Sequence, residues 1–150
     1  GEHVVDGTEV GKPTVINFFV NRALAGETLT VYEPGTQARN FVHVQDVARA
    51  YVRSAERLVE QLERGETGTE TYEIASKEDM TVMKVAEIVR EAALEERGID
   101  VEVKLVENPR SAETMVEEFG VDISTASDHI GWTPIETVPG SVQELLRPNN

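Results

Sequence analysis

Residues 23–50, ALAGETLTVYEPGTQARNFVHVQDVARA, carry most of the reading of this fold. The stretch opens at the end of one helical pattern, which starts at Thr14 and runs to about Ala25 with Val15, Phe18, Phe19 and Leu24 near one face. Gly26 stops that helix. Leu29 to Tyr32 alternates and is rich in β-formers, which predicts a short strand. Pro34 and Gly35 signal a turn. Residues 41–44 read as a second short strand. A helix follows from about Asp46 to Glu63, with Val47, Ala50, Tyr51, Ser54 and Leu58 at helical spacing. Asp46 suits the positive N-terminus of that helix.

Outward from this stretch, residues 1–13 are polar and punctuated by glycine, so a loop or a truncated start is expected. A strand is expected at 72–75. Thr81 is placed to cap an amphipathic helix with Val82, Val85, Ile88, Val89 and Ala92 inward, ending at Gly98. Residues 101–106 alternate as a strand with one wet face. A helical turn near 124–130 precedes Gly131-Trp132-Thr133-Pro134, and 141–146 closes with a helix. The pattern is α/β with short, mixed strands and helices, in a length of 150 residues that suits one domain.

The chain carries 28 acidic and 14 basic residues, a net charge of −14. Such a surface repels nucleic acid and anionic membranes. The acids are dispersed over helix faces, as at Glu56, Glu60 and Glu63, and only four bases are lysines. This composition fits a halophilic, acidic protein that loses stability at low salt. There are no cysteines, which excludes disulfides and thiolate metal sites and fits a cytoplasmic location. The three histidines, His3, His43 and His129, have no metal-ligand spacing, and no metal is expected.

Several stretches together resemble the extended short-chain dehydrogenases/reductases, the NAD-dependent nucleotide-sugar epimerases and dehydratases. Residues 23–50 are similar to the family's ALAGEPLTVYGDGSQTRDFVHVDDVARA. Residues 71–76 look like its YNIGS strand, 81–87 like SVLELAE, and 122–134 like DISKA followed by LGWxP. The resemblance runs from about Thr14 to Leu146 and implies the C-terminal, substrate-binding part of such an enzyme, lacking most of the Rossmann sheet. There are departures. Glu33-Pro34 stand for the family's Gly-Asp, Asn40 for its acid, and Arg110-Ser111-Ala112-Glu113 for its RPGD.

The resemblance implies a site. A diphosphate calls for guanidinium groups, which fork two donors onto phosphate oxygens. Arg39 and Arg110 stand where the family places such arginines, although a surface arginine in a local ion pair is the plain alternative. Glu113 stands where the family's aspartate accepts from ribose hydroxyls. Tyr32 stands beside the base, and Thr30, on the same strand face, offers a backbone contact. His43 and Asp46 are set aside as an acid/base pair, because the family uses that corner structurally. Trp132 is expected as a core anchor.

Hydride chemistry in the family needs a glycine-rich GxxGxxG turn for NAD and a YxxxK pair. Neither occurs here: Tyr32, Tyr51 and Tyr72 are followed four residues later by Thr36, Ala55 and Ser76. The resemblance therefore implies a nucleoside-diphosphate-sugar-binding portion that is not catalytic by itself. NAD would be bound by an N-terminal half absent from these residues. The alternative is a non-catalytic sensor or partner-binding module on the same fold. The helix at 46–63 and the strand at 72–75 are expected to expose an apolar face and an open edge. Either could meet the N-terminal half or drive self-association.

Overall fold

A computed structural model describes residues 2–5, 8–11, 14–77, 79–109 and 120–148. They fall into two compact units, the first Gly1–Gln37, Thr81–Met115 and Pro139–Asn150, the second Ala38–Met80 and Val116–Val138.

The first unit begins with a hairpin in the region expected to be loop. β1 (Glu2–Val5) and β2 (Thr8–Gly11) pair antiparallel, with Val5 opposite Thr8. Only Asp6-Gly7 lie between them in sequence, and a two-residue Asp-Gly connection is a hairpin signal that outweighs polar composition. α1 (Val15–Leu24) follows Thr14, which is extended, and buries Phe19, Val20 and Ala23. Gly26, at φ +69°, ends it in the left-handed region open to glycine. β3 (Leu29–Tyr32) sends Leu29 and Val31 into the core and pairs parallel with β6 (Val103–Val106), which starts two residues later than expected.

α3 (Val82–Arg97) is bounded as the sequence indicates. The Thr81 hydroxyl accepts from the Lys84 amide at 3.1 Å, and Gly98 closes the helix at φ +65°. Val85, Ala86, Ile88, Val89, Ala92 and Ala93 are all buried, packed against α1 and β3. α5 (Val138–Leu146) starts three residues earlier than expected and buries Val142 and Leu146. Arg97 donates to the carbonyls of Leu146 and Arg147, tying the end of α3 to the end of α5.

The second unit is built on α2 (Val44–Glu63). The expected strand at 41–44 is not formed: β4 is Ala38–Asn40, paired with β5 (Asp79–Thr81), and Val44 already belongs to the helix. His43 is extended and its ring accepts from the Gln45 amide, which starts the helix and overrides the β-propensity of Phe-Val-His-Val. Residues 72–75 form no strand either, since no neighbouring strand among the described residues shares a ladder with them. Tyr72 and Ile74 instead pack on a cluster of Ala50, Ala126, Ile130 and Trp132. α4 (Ser124–Ile130) supplies two members and ends at Gly131, φ +59°. Asp122 accepts from the Ser124 amide at 2.9 Å, which holds its carboxyl below the ordinary carboxylate range.

Trp132 anchors this core, 1% exposed, as expected. Its indole N–H donates to the Asp46 carbonyl at 2.8 Å. The buried Asp46 carboxylate accepts from the amides of Ile135 and Glu136 and pairs with Arg49, whose guanidinium also reaches the Thr133 carbonyl. A buried carboxylate so fully partnered is a structural clasp. The corner of His43 and Asp46 thus caps the helix and clasps the 132–136 segment.

Candidate functional site

In the first unit, Thr30 and Tyr32 share one face of β3, opposite the buried Leu29 and Val31. Tyr32 is 53% exposed and Thr30 half-buried, so a flat ligand could lie along this face. The parallel register sets Lys104 beside Thr30 and Val106 beside Tyr32. Lys104 is therefore a cation next to this face that sequence reasoning did not single out.

The ladder continues past Tyr32, with the Glu33 amide donating to the Val106 carbonyl at 2.8 Å. The turn then presses onto the core. A Cβ on Gly35, at φ +74°, would lie 3.1 Å from Leu105 and 3.3 Å from Val31. The carbonyls of Gly35 and Gln37 accept from the amides of Met83 and Val82. These bonds close the N-terminus of α3. The side-chain oxygen of Gln37 is buried without a hydrogen-bond partner among the described residues. Such an acceptor is costly when left alone.

In the second unit, Arg39 is exposed, and its one hydrogen bond runs to the adjacent Ala38 carbonyl at 2.8 Å. Arg22, Arg49, Arg53, Arg57, Arg64 and Arg147 each engage a carboxylate. Arg39 engages none among the described residues, and neither do Arg90 and Arg97. Its backbone is held from the next position. The Asn40 amide donates to the Ser76 carbonyl and the Asp79 carboxylate, while its oxygen accepts from the Ser76 amide and hydroxyl. Only a carboxamide can both donate and accept in this way, which gives the departure from the family's acid a physical reason. Arg110 and Glu113 lie outside the described residues.

Elsewhere in the second unit, Arg57 forks onto Glu70 at 3.0 and 3.2 Å, joined by Gln61 and the Tyr72 hydroxyl. The Arg57 guanidinium, with the Tyr72 hydroxyl, holds Glu70 down to about 2. Partial burial, then the bond to Glu70, raises Tyr72 above the usual phenol value. A groove of about 290 Å³ beside this cluster is lined by Val47, Ala50, Tyr51, Ser54, Tyr72 and Ile74, none of them an expected site residue. No group of metal-ligating side chains occurs among the described residues, and no described helix is long and apolar enough to cross a membrane.

Neither α2 nor α3 offers the N-terminus that NAD calls for. Its pyrophosphate needs a glycine-rich turn leading into a free helix N-terminus. The start of α2 is capped by His43 with Asp46 in its first turn, and the start of α3 is closed by Thr81, Gly35 and Gln37.

Residues 1–75 match the model of the NAD dependent epimerase/dehydratase family. The chain is 36% identical over 124 residues to UDP-glucuronic acid decarboxylase 6 of Arabidopsis thaliana, covering 80% of this chain and 30% of that protein. It is 36% identical over 137 residues to UDP-sulfoquinovose synthase of Sulfolobus acidocaldarius, covering 89% and 32%. The fold resembles the crystal structure of UDP-N-acetylglucosamine 4-epimerase from Bacillus cereus, with a TM-score of 0.69 and 23% identity over 91% of this chain and 42% of that one. The chain thus spans about a third of the length of the curated relatives it matches. On the family match across the first half of its residues, together with this fold, the chain belongs to the NAD dependent epimerase/dehydratase family.

Proposed function

We propose that these 150 residues are the nucleoside-diphosphate-sugar-holding portion of an NAD-dependent epimerase/dehydratase, working in the cytoplasm and not catalytic alone. The observation that carries the reading is Arg39, an exposed guanidinium that meets no carboxylate among the described residues in a chain of net charge −14. An exposed guanidinium is suited to an anionic ligand. Arg39 and Arg110 take the diphosphate, Tyr32 lies along the base, Thr30 offers its backbone, and Glu113 accepts from the ribose. The unpartnered Gln37 oxygen adds an acceptor for a ligand N–H or O–H. NAD, and the groups that move hydride and protons, belong to sequence beyond these residues. The acidic surface supports a halophilic setting, in which salt screens self-repulsion.

Titration calorimetry with UDP-, GDP- and dTDP-sugars tests this. One nucleotide sugar should bind wild type, and Arg39→Ala or Arg110→Ala should weaken it about ten- to hundred-fold, as loss of a charge-assisted contact does. Binding that both variants leave unchanged would remove these arginines from the site.

A further inference from the structure

Arg39 sits in the middle of β4, a strand of three residues. Ala38 is buried, Arg39 exposed and Asn40 half-buried, so Arg39 points out from the face opposite the one on which Asn40 is fastened. Among the described residues β4 pairs only with β5, also three residues long. A two-stranded ladder of that size is marginal by itself. The Arg39 guanidinium adds little hold, since its one hydrogen bond runs to the adjacent Ala38 carbonyl. The strand is secured from Asn40 instead, by hydrogen bonds of 2.8 to 3.2 Å to Ser76 and Asp79, 36 and 39 residues further on.

These partners select a carboxamide. The Ser76 amide and hydroxyl donate to the Asn40 oxygen, while the Ser76 carbonyl and the Asp79 carboxylate accept from its nitrogen. A carboxylate at position 40 would keep the first two bonds and lose the others. Oxygen would then face oxygen, in one case across two negative charges. We propose that Asn40 is a positioning residue for the anion grip: it fixes the backbone from which Arg39 reaches a diphosphate, and it affects binding through Arg39. This rests on the reading of Arg39 as a diphosphate ligand and adds what holds that side chain in place.

A double-mutant cycle on the full chain tests it, read by titration calorimetry with UDP, GDP and dTDP as probes. The diphosphate that binds wild type should bind Asn40→Asp about tenfold more weakly, the scale of one misplaced charge-assisted contact. In an Arg39→Ala background the same substitution should change affinity by about twofold at most. Direct repulsion of the ligand by the new charge, or a general loosening of the fold, would persist in that background. Adding Asp79→Asn to Asn40→Asp puts a donor back across the pair and should recover part of the affinity. Asn40→Ser, uncharged and too short to span both partners, should show the same loss and the same dependence on Arg39, and it serves where Asn40→Asp does not fold. Unchanged affinity in the Asn40 variants, with binding weakened in Arg39→Ala, overturns the positioning role and leaves the reading of Arg39 standing. A loss that persists in full without Arg39 also overturns it. Affinity that Arg39→Ala leaves unchanged, or a wild type that binds none of the three probes, overturns that reading and this inference with it.

Discussion

α2 and α3 are both amphipathic, and they spend their apolar faces differently. α3 turns six apolar residues into the core formed with α1 and β3. α2 is longer, yet it leaves Val44, Tyr51, Val52, Leu58, Val59 and Leu62 in solvent. Periodicity says that a helix has a face to bury; it does not say that the partner lies in the same chain. One unit closes on itself, and the other presents a surface.

The comparison breaks first at its interiors. Ile88→Ala in α3 should lower unfolding free energy by about 2–5 kcal/mol, whereas Leu58→Ala in α2 should stay within about 0.5 kcal/mol of wild type in dilute monomer. Chemical denaturation of both checks this, and equal losses would mean that the α2 face is already covered. The caps give a smaller contrast. Thr81→Ala should cost α3 about 1 kcal/mol, read from the same denaturation curves. His43→Ala should cost α2 less, because the cap is solvent-exposed.

The smallest effect is set by pH. Glu70 on the α2 side titrates near 2, below its ordinary value of 4.5, so its bond to Arg57 stabilises fully above that value and is lost as pH falls toward 2. Wild type and Glu70→Gln should therefore differ in melting temperature at neutral pH and converge in strong acid.

How much was legible follows from range. Thr81, Gly98 and the apolar positions between them act within a few residues, so α3 was readable to its ends. β3 was also readable, because Leu29 and Val31 alternate with Thr30 and Tyr32. The strand expected at 41–44 sits earlier, at Ala38–Asn40, because Asn40 bonds Ser76 and Asp79, and no local pattern announces partners 36 and 39 residues away. The same holds for Gln37, whose buried oxygen has no partner among the described residues, and for Lys104, placed beside Thr30 by a parallel register. Arg39 was found through resemblance to a motif; that no described carboxylate engages it is visible only in the structure.

The Asp46 clasp has a consequence in time. Its partners at Thr133, Ile135 and Glu136, and the indole of Trp132, come 86 to 90 residues after it in synthesis. α2 leaves the ribosome long before the groups that satisfy its buried carboxylate exist, and the intervening chain includes all of β5, α3 and β6. Contacts so distant in sequence slow folding, because the loop must be closed before any of them forms. The clasp of α2 therefore closes late, and during that wait its apolar face is open to a neighbour or a chaperone.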